Sequence, residues 1–184
     1  TIEARIADIA DAVKRGADEI DIVLNRSAFL AGDEQRAFEE IVASKDACGE
    51  AHLKVILEVG ELGSYDKIRQ ASMLAMTAGA DFIKTSTGKI SQASSLPRVL
   101  CMAEAVRDFA YQTNISVGIK AAGGIRTAKQ AWHYLVVIGE TLGTEWLNPE
   151  MFRIGASGLL NDVLLQLNRL DSGSYSGPDY VTVD

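Results

Sequence analysis

Two lysines and an aspartate carry the chemistry this sequence could perform. Lys84 lies in Asp81-Phe-Ile-Lys-Thr-Ser-Thr-Gly-Lys89, where a short apolar run passes into a loop of threonine, serine and glycine. A lysine ending a buried strand is expensive, because desolvation disfavours its charged form and pulls its pKa below about 10.4. A nucleophilic amine needs that penalty, since only the neutral amine attacks a carbonyl. The loop behind it offers hydroxyls, a flexible backbone and a second ammonium, Lys89, which are parts suited to a phosphate. The plainer alternative is a lysine that snorkels from a strand end beside a polar turn. Lys120 ends a second apolar strand, Ser116 to Lys120, behind Gly118, which is expected to leave space beside it. Asp21 lies mid-strand in Glu19-Ile-Asp-Ile-Val-Leu24, an acid where burial is expected. Its plainer alternative is a structural pair with a neighbouring lysine.

Brought together, these three groups suit carbonyl chemistry through an imine. Lowering a lysine's pKa by about 3 corresponds to about 4 kcal/mol, which a second ammonium and a desolvated pocket can jointly supply. The protonated imine is an electron sink for making or breaking an adjacent carbon–carbon bond, and Asp21, directly or through water, can move the protons. No cofactor or metal is needed. Cys48, Cys101, His52 and His133 are isolated, without ligand spacing, and read as packing or surface residues.

The elements that must position these groups follow from periodicity. Residues 2–15 read as an amphipathic helix, with Ile2, Ile6, Ile9 and Val13 on one stripe. The strand Glu19 to Leu24 follows, then a helix from Asp33 to Gly49 and a strand from Leu53 to Glu58. Lys54 and Glu58 share one face of that strand, and a buried charge partnership fixing neighbouring strands is favoured over catalysis for both. A helix over Tyr65 to Ala78 leads to the Lys84 strand, and Ser95 caps a helix running to about Tyr111. The Lys120 strand gives way to a loop, Ala121 to Arg126, and Thr127 caps a helix ending near Gly143. Phe152 to Ile154 is the last strand, Gly155-Ala-Ser-Gly158 the last loop, and a helix runs to about Leu170. The stretch 171–184 reads as a mobile polar tail.

Strand thus alternates with helix five times, predicting a parallel sheet covered by helices. A barrel is favoured over an open doubly wound sheet. Asp21, Lys84 and Lys120 fall near the C-terminal ends of three strands, where barrels place their chemistry, and the last two loops fall where many barrels bind phosphate. No Gly-x-Gly-x-x-Gly follows the first strand. Hydrophobic residues at 47% suit a globular domain, and a net charge of −7 argues against nucleic-acid and anionic-membrane binding. No stretch resembles a membrane span or a signal peptide, so a cytoplasmic protein is expected.

The segments Asp81 to Lys89, Gly118 to Arg126, Glu19 to Val23 and Phe152 to Ser157 together closely resemble the 2-deoxyribose-5-phosphate aldolase family, and the likeness runs to about Leu170. The resemblance implies a class I, Schiff-base aldolase on a (β/α)8 barrel, acting in deoxyribonucleotide breakdown. Its substrate would be deoxyribose 5-phosphate, cleaved reversibly to glyceraldehyde 3-phosphate and acetaldehyde. It implies that Lys84 forms the imine, that Lys120 depresses the pKa of Lys84, and that Asp21 relays protons. Thr87, Gly88 and Lys89 would contact substrate and phosphate, and Gly123, Gly124 and Ser157 would cradle phosphate. Gly158 stands where some members carry a second serine, and neither Tyr175 nor Tyr180 aligns with a terminal tyrosine some members use. By resemblance the five strands correspond to the family's fourth through eighth, so residues 1–170 would be the C-terminal part of one barrel. A homodimer of the complete protein is implied. A transaldolase-like enzyme and an inactive phosphate-binding barrel segment are the alternative readings.

Overall fold

The computed structural model describes residues 1–90, 93–174 and 177, so Tyr175 and Tyr180 lie outside the described residues. The strands are β1 (Glu19–Val23), β2 (His52–Ile56), β3 (Phe82–Lys84), β4 (Gly118–Ala122) and β5 (Phe152–Gly155). The helices are α1 (Ile2–Lys14), α2 (Arg26–Leu30), α3 (Glu34–Cys48), α4 (Tyr65–Thr77), α5 (Leu96–Thr113), α6 (Ala128–Leu142) and α7 (Leu159–Ser172).

All five strands are parallel and lie in the order β1-β2-β3-β4-β5. A doubly wound sheet reverses its order at a switch point. This one never does, so it is singly wound. Four inter-strand steps of about 4.8 Å would hold β1 and β5 roughly 19 Å apart on a flat sheet. Yet Arg153 of β5 donates to Glu19 Oε2 of β1 at 2.6 Å. The sheet therefore curls about its own inner face, as part of a barrel.

Register sorts the side chains by face. Ile22, Val55, Ile83, Ile119 and Phe152 form one row, all buried against the helices. Their burial supplies much of the stabilisation, at about 1.5–3 kcal/mol for each fully buried side chain. The opposite, concave face carries Asp21, Lys54, Phe82 and Gly118 in one row and Ile56, Lys84, Lys120 and Arg153 in the next. Polar and charged groups on a concave face are what a single closed core would exclude. Here they gather.

Gly118 leaves its space to the Phe82 ring, rather than to Lys120 as expected. A Cβ there would stand 2.2 Å from Phe82 Cε1. The ring in turn lies under the Arg153 guanidinium, 4.7 Å from its centroid, and under Lys54, at 5.6 Å. Gly118→Ala should therefore destabilise the fold by about 1–3 kcal/mol, the usual cost of overpacking. Urea denaturation checks this, and an unchanged midpoint would contradict the packing described.

The helix starts follow capping chemistry. Thr127 accepts from Gln130 N while the Gln130 side chain accepts from Thr127 N, a reciprocal capping box. Several elements differ from expectation, among them β2, which ends at Ile56 and leaves Glu58 outside the strand. Helix α2 was not foreseen; Asn25 caps it by accepting from Ala28 N, and Phe29 buries completely. Strand β4 begins at Gly118 and takes in Ala121 and Ala122, because these pair with Ile154 and Gly155 of β5. Helix α7 continues to Ser172 and stops at Gly173, which adopts a positive φ of 72°. None of its residues is buried, and Leu160, Leu167 and Leu170 stand exposed. Among the described residues no helix is long and apolar enough to cross a membrane.

Candidate active site

The C-terminal ends of β3, β4 and β5 open into a cleft of about 660 Å³. Lys84, Thr87, Gly88, Lys89, Lys120, Gly123, Gly124 and Ser157 all line it. Asp21 lies outside that lining, on β1, but reaches in: Lys84 Nζ donates to Asp21 Oδ2 at 2.7 Å. The second Asp21 oxygen accepts from Lys54 Nζ at 2.9 Å. Lys84 and Lys120 are register partners on adjacent strands, so their stems leave the sheet side by side.

The electrostatics follow from this crowding. The Lys120 pKa is held below the ordinary lysine value, first by burial and then by the like charges of Lys84 and Lys54; Asp21 and Glu19 oppose the effect only in part. Burial works to raise the Asp21 carboxyl, but hydrogen bonds from Lys84 and Lys54 outweigh it, and its pKa falls below the ordinary aspartate value. The Glu19 pKa is lowered to about 2, chiefly by the hydrogen bond from Arg153 and further by Lys54. Lys54, with a side chain only 3% exposed, is spent on Glu19 and Asp21 of the neighbouring strand. That is the partnership expected of it. Glu58 is different, for among the described residues it pairs with no cation, and it accepts from Thr87.

The loop after Lys84 is built inward. Thr85 Oγ1 donates to Ala122 O and accepts from Ala122 N, and Ser86 Oγ donates to the same carbonyl at 2.6 Å. Both residues are fully buried, so two of the loop's three hydroxyls are structural and face no ligand. Phosphate donors must come from backbone and cations instead. Gly88, Gly123 and Gly124 all have positive φ, and a Cβ on Gly123 would stand 2.4 Å from that of Ala93. The cleft is flanked by the start of α7, which has no side-chain cap and whose first N–H groups favour an anion. Lys89 and Arg126 add full charges to that rim.

In the sequence Arg126 stands only as the end of a motif, and nothing there gives Glu19 or Arg153 a role in the site. Arg126 could have been found as the cation that closes the glycine loop just before a helix. Arg153 could not, because its partner lies 134 residues away in sequence.

A singly wound parallel sheet that curls on itself and gathers a lysine pair and a cationic rim at its strand ends defines a barrel-type α/β fold. The model of the DeoC/LacD family aldolases matches residues 2–162, and the chain belongs to that family. It is 47% identical over 175 residues to the deoxyribose-phosphate aldolase of Mus musculus and 48% identical to that of Homo sapiens. Each match covers 95% of this chain but 55% of the relative, so the chain spans about half the length of these proteins. Among solved structures, a Toxoplasma gondii protein provisionally assigned as a deoxyribose-phosphate aldolase superposes with a TM-score of 0.80 at 26% identity. The superposition covers 96% of this chain and 68% of that one.

Proposed function

We propose that this chain carries the reacting groups of a deoxyribose-phosphate aldolase, cleaving 2-deoxyribose 5-phosphate to glyceraldehyde 3-phosphate and acetaldehyde. The observation that carries the reading is Lys84 Nζ hydrogen-bonded to Asp21 beside Lys120, at the mouth of a cleft whose far rim is cationic. The relatives' assignment supports it.

In this reading Lys84 passes a proton to Asp21 and its neutral amine attacks the sugar aldehyde. Asp21 returns the proton to the carbinolamine hydroxyl, which leaves as water, so that an iminium joined to Lys84 and a carboxylate at Asp21 remain. The bond between C2 and C3 breaks, its electron pair flows into the iminium, and the C3 hydroxyl gives its proton to Asp21, directly or through water. Glyceraldehyde 3-phosphate leaves with a new aldehyde at C3. The remaining enamine takes a proton at C2, and hydrolysis frees acetaldehyde and Lys84. Lys120, its own pKa held low by burial and by the neighbouring lysines, stands beside the reacting nitrogen on the adjacent strand. Lys89, Arg126 and the N–H groups of the glycine loops hold the phosphate. Borohydride with deoxyribose 5-phosphate tests the whole reading. An adduct should be trapped on Lys84, whereas phosphate binding without an adduct would mean an inactive phosphate-binding segment.

The five strands stand as the fourth through eighth of the family's barrel. The outer edges of β1 and β5 have no strand partner among the described residues, and α7 exposes an apolar stripe. Further strands and helices would cover both.

Gly158 offers a direct probe of the phosphate rim. Nothing lies within 4 Å of a Cβ built there, and its φ of −81° suits any residue. Gly158→Ser should cap α7 and donate one more hydrogen bond to phosphate. KM for the phosphorylated sugar should fall about 2- to 10-fold, in keeping with one hydrogen bond. KM for unphosphorylated deoxyribose should not move, and steady-state kinetics on both sugars decides.

A further inference from the structure

The residue after Leu57 takes an unusual backbone for its type. Glu58 has a φ of +55°, one of two non-glycine residues with positive φ among those described. It is also almost wholly buried, at 1% exposure. Leu57 N donates to Lys84 O and Val59 N donates to Thr85 O, both at 2.9 Å. Three residues leaving β2 therefore run beside two leaving β3, so Glu58 is the extra residue of a bulge. Bulges re-aim side chains and gather near active sites, and the left-handed position in them usually falls to glycine. Here it carries a long carboxylate, pointed at the loop that follows Lys84.

The carboxylate accepts from Thr87 Oγ1 at 2.6 Å and from Thr87 N at 3.2 and 3.3 Å. The other side of the loop is tied to Ala122 through Thr85 and Ser86. Thr87 lines the cleft with Lys84 and is three residues beyond it. Because its only hydroxyl proton goes to Glu58, Thr87 Oγ1 is left to accept, as it does from Lys89 N at 3.2 Å. A strained, buried carboxyl side chain that makes no ion pair among the described residues, and whose hydrogen bonds there all go to one loop residue, is poorly explained as fold support alone.

We propose that Glu58 is a positioning residue for the reaction. It fixes the Thr87–Lys89 turn and the polarity of the Thr87 hydroxyl, so that Lys84 and Lys89 meet substrate in one register. The proposal rests on the reading of Lys84 as the imine-forming amine.

Three variants test it, Glu58→Ala, Glu58→Gln and Thr87→Val, each with two readouts. One is hydrogen exchange at the Thr87 amide; the other is the rate of borohydride-trapped imine formation with kcat and KM. Glu58→Ala should speed Thr87 exchange at least about fivefold, the loss of one hydrogen bond. It should also lower the trapping rate on the order of 10²-fold through misplacement. Glu58→Gln keeps the length and one acceptor, so it should hold the amide while losing activity because its NH2 reverses the hydroxyl's polarity. Adding Thr87→Val to either Glu58 variant should cost little more, since the two act as a unit. Unchanged Thr87 exchange in Glu58→Ala, or losses that multiply in the double variant, would overturn the proposal. Should Glu58→Ala fail to fold, Glu58→Gln with and without Thr87→Val decides by the same non-additivity. Wild-type protein that protects the Thr87 amide yet never traps an imine would count against the aldolase reading and leave the loop anchor standing.

Discussion

Lys84→Met should abolish imine formation outright, with no borohydride-stable adduct and catalysis reduced to background. The size of the effect follows from the site's geometry. Lys84 Nζ is 2.7 Å from the Asp21 carboxylate, so one proton transfer inside the site yields a neutral amine next to an acid able to return the proton. Lys120 cannot take over. Its nitrogen springs from the adjacent strand, and its stem fills the space that Gly155 leaves, where a Cβ would lie 3.1 Å from Lys120 Cε. A fall of at least about 10⁴-fold is expected, in line with the removal of a covalent nucleophile. Methionine keeps the stem's apolar volume, so the fold should survive, and circular dichroism with thermal melting separates loss of chemistry from loss of structure. An adduct on Lys84→Met of wild-type yield would place the nucleophile elsewhere.

Lys120→Leu should move the acid limb of the activity profile to higher pH and at the same time stabilise the fold at neutral pH. The two effects have one origin. Burial and the neighbouring charges of Lys84 and Lys54 hold the Lys120 pKa below its unfolded value. The unfolded chain therefore binds more protons between the two values, and stability rises with pH across that window. Below the folded value the full penalty applies, and above about 10.4 it is gone. Leucine removes that penalty. It also removes a titrating cation that stands beside Lys84 in the cleft, so the acid limb of the pH–rate profile should move with it. An activity loss of about 10²–10³-fold near pH 7 should shrink as pH rises. Parallel measurement of the pH–rate profile and of denaturation midpoints from pH 6 to 10 checks both. A profile that keeps its shape would sever the link between the two lysines.

Much of this was legible in the chain. The alternation of β-branched strands with amphipathic helices is local, and it located all five strands and six of the seven helices to within a few residues. Lys84, Lys120 and Asp21 were legible for a related reason: a charge inside an apolar run stands out against the period of its strand. The barrel-like curl was legible only as an inference from where those charges fell. What was not legible depends on pairing across the sheet or on backbone angles. The use of Gly118 by the Phe82 ring needed β3 and β4 in register. The loop hydroxyls looked like phosphate ligands, and nothing in Thr85-Ser-Thr87 says that two of them turn to the Ala122 carbonyl. Glu58 looked like half of an ion pair because its spacing from Lys54 implied a shared face, and a single positive φ sent it elsewhere.

The unreversed strand order bears on how the molecule assembles. Each strand pairs with the one before it in sequence, about 30 residues away by the register. The strand pairings are thus laid down unit upon unit, each across one crossover connection and none across the whole chain. The Glu19–Arg153 pair belongs to another class. It joins the first strand to the last across 134 residues and cannot form until every unit between them is seated. A contact made that late is absent from the folding barrier and present in the native state, so its energy slows unfolding and leaves the folding rate unchanged. The clasp across the inner face is therefore a kinetic lock: it governs how long the curl persists once made, while its neighbours govern how quickly it is reached.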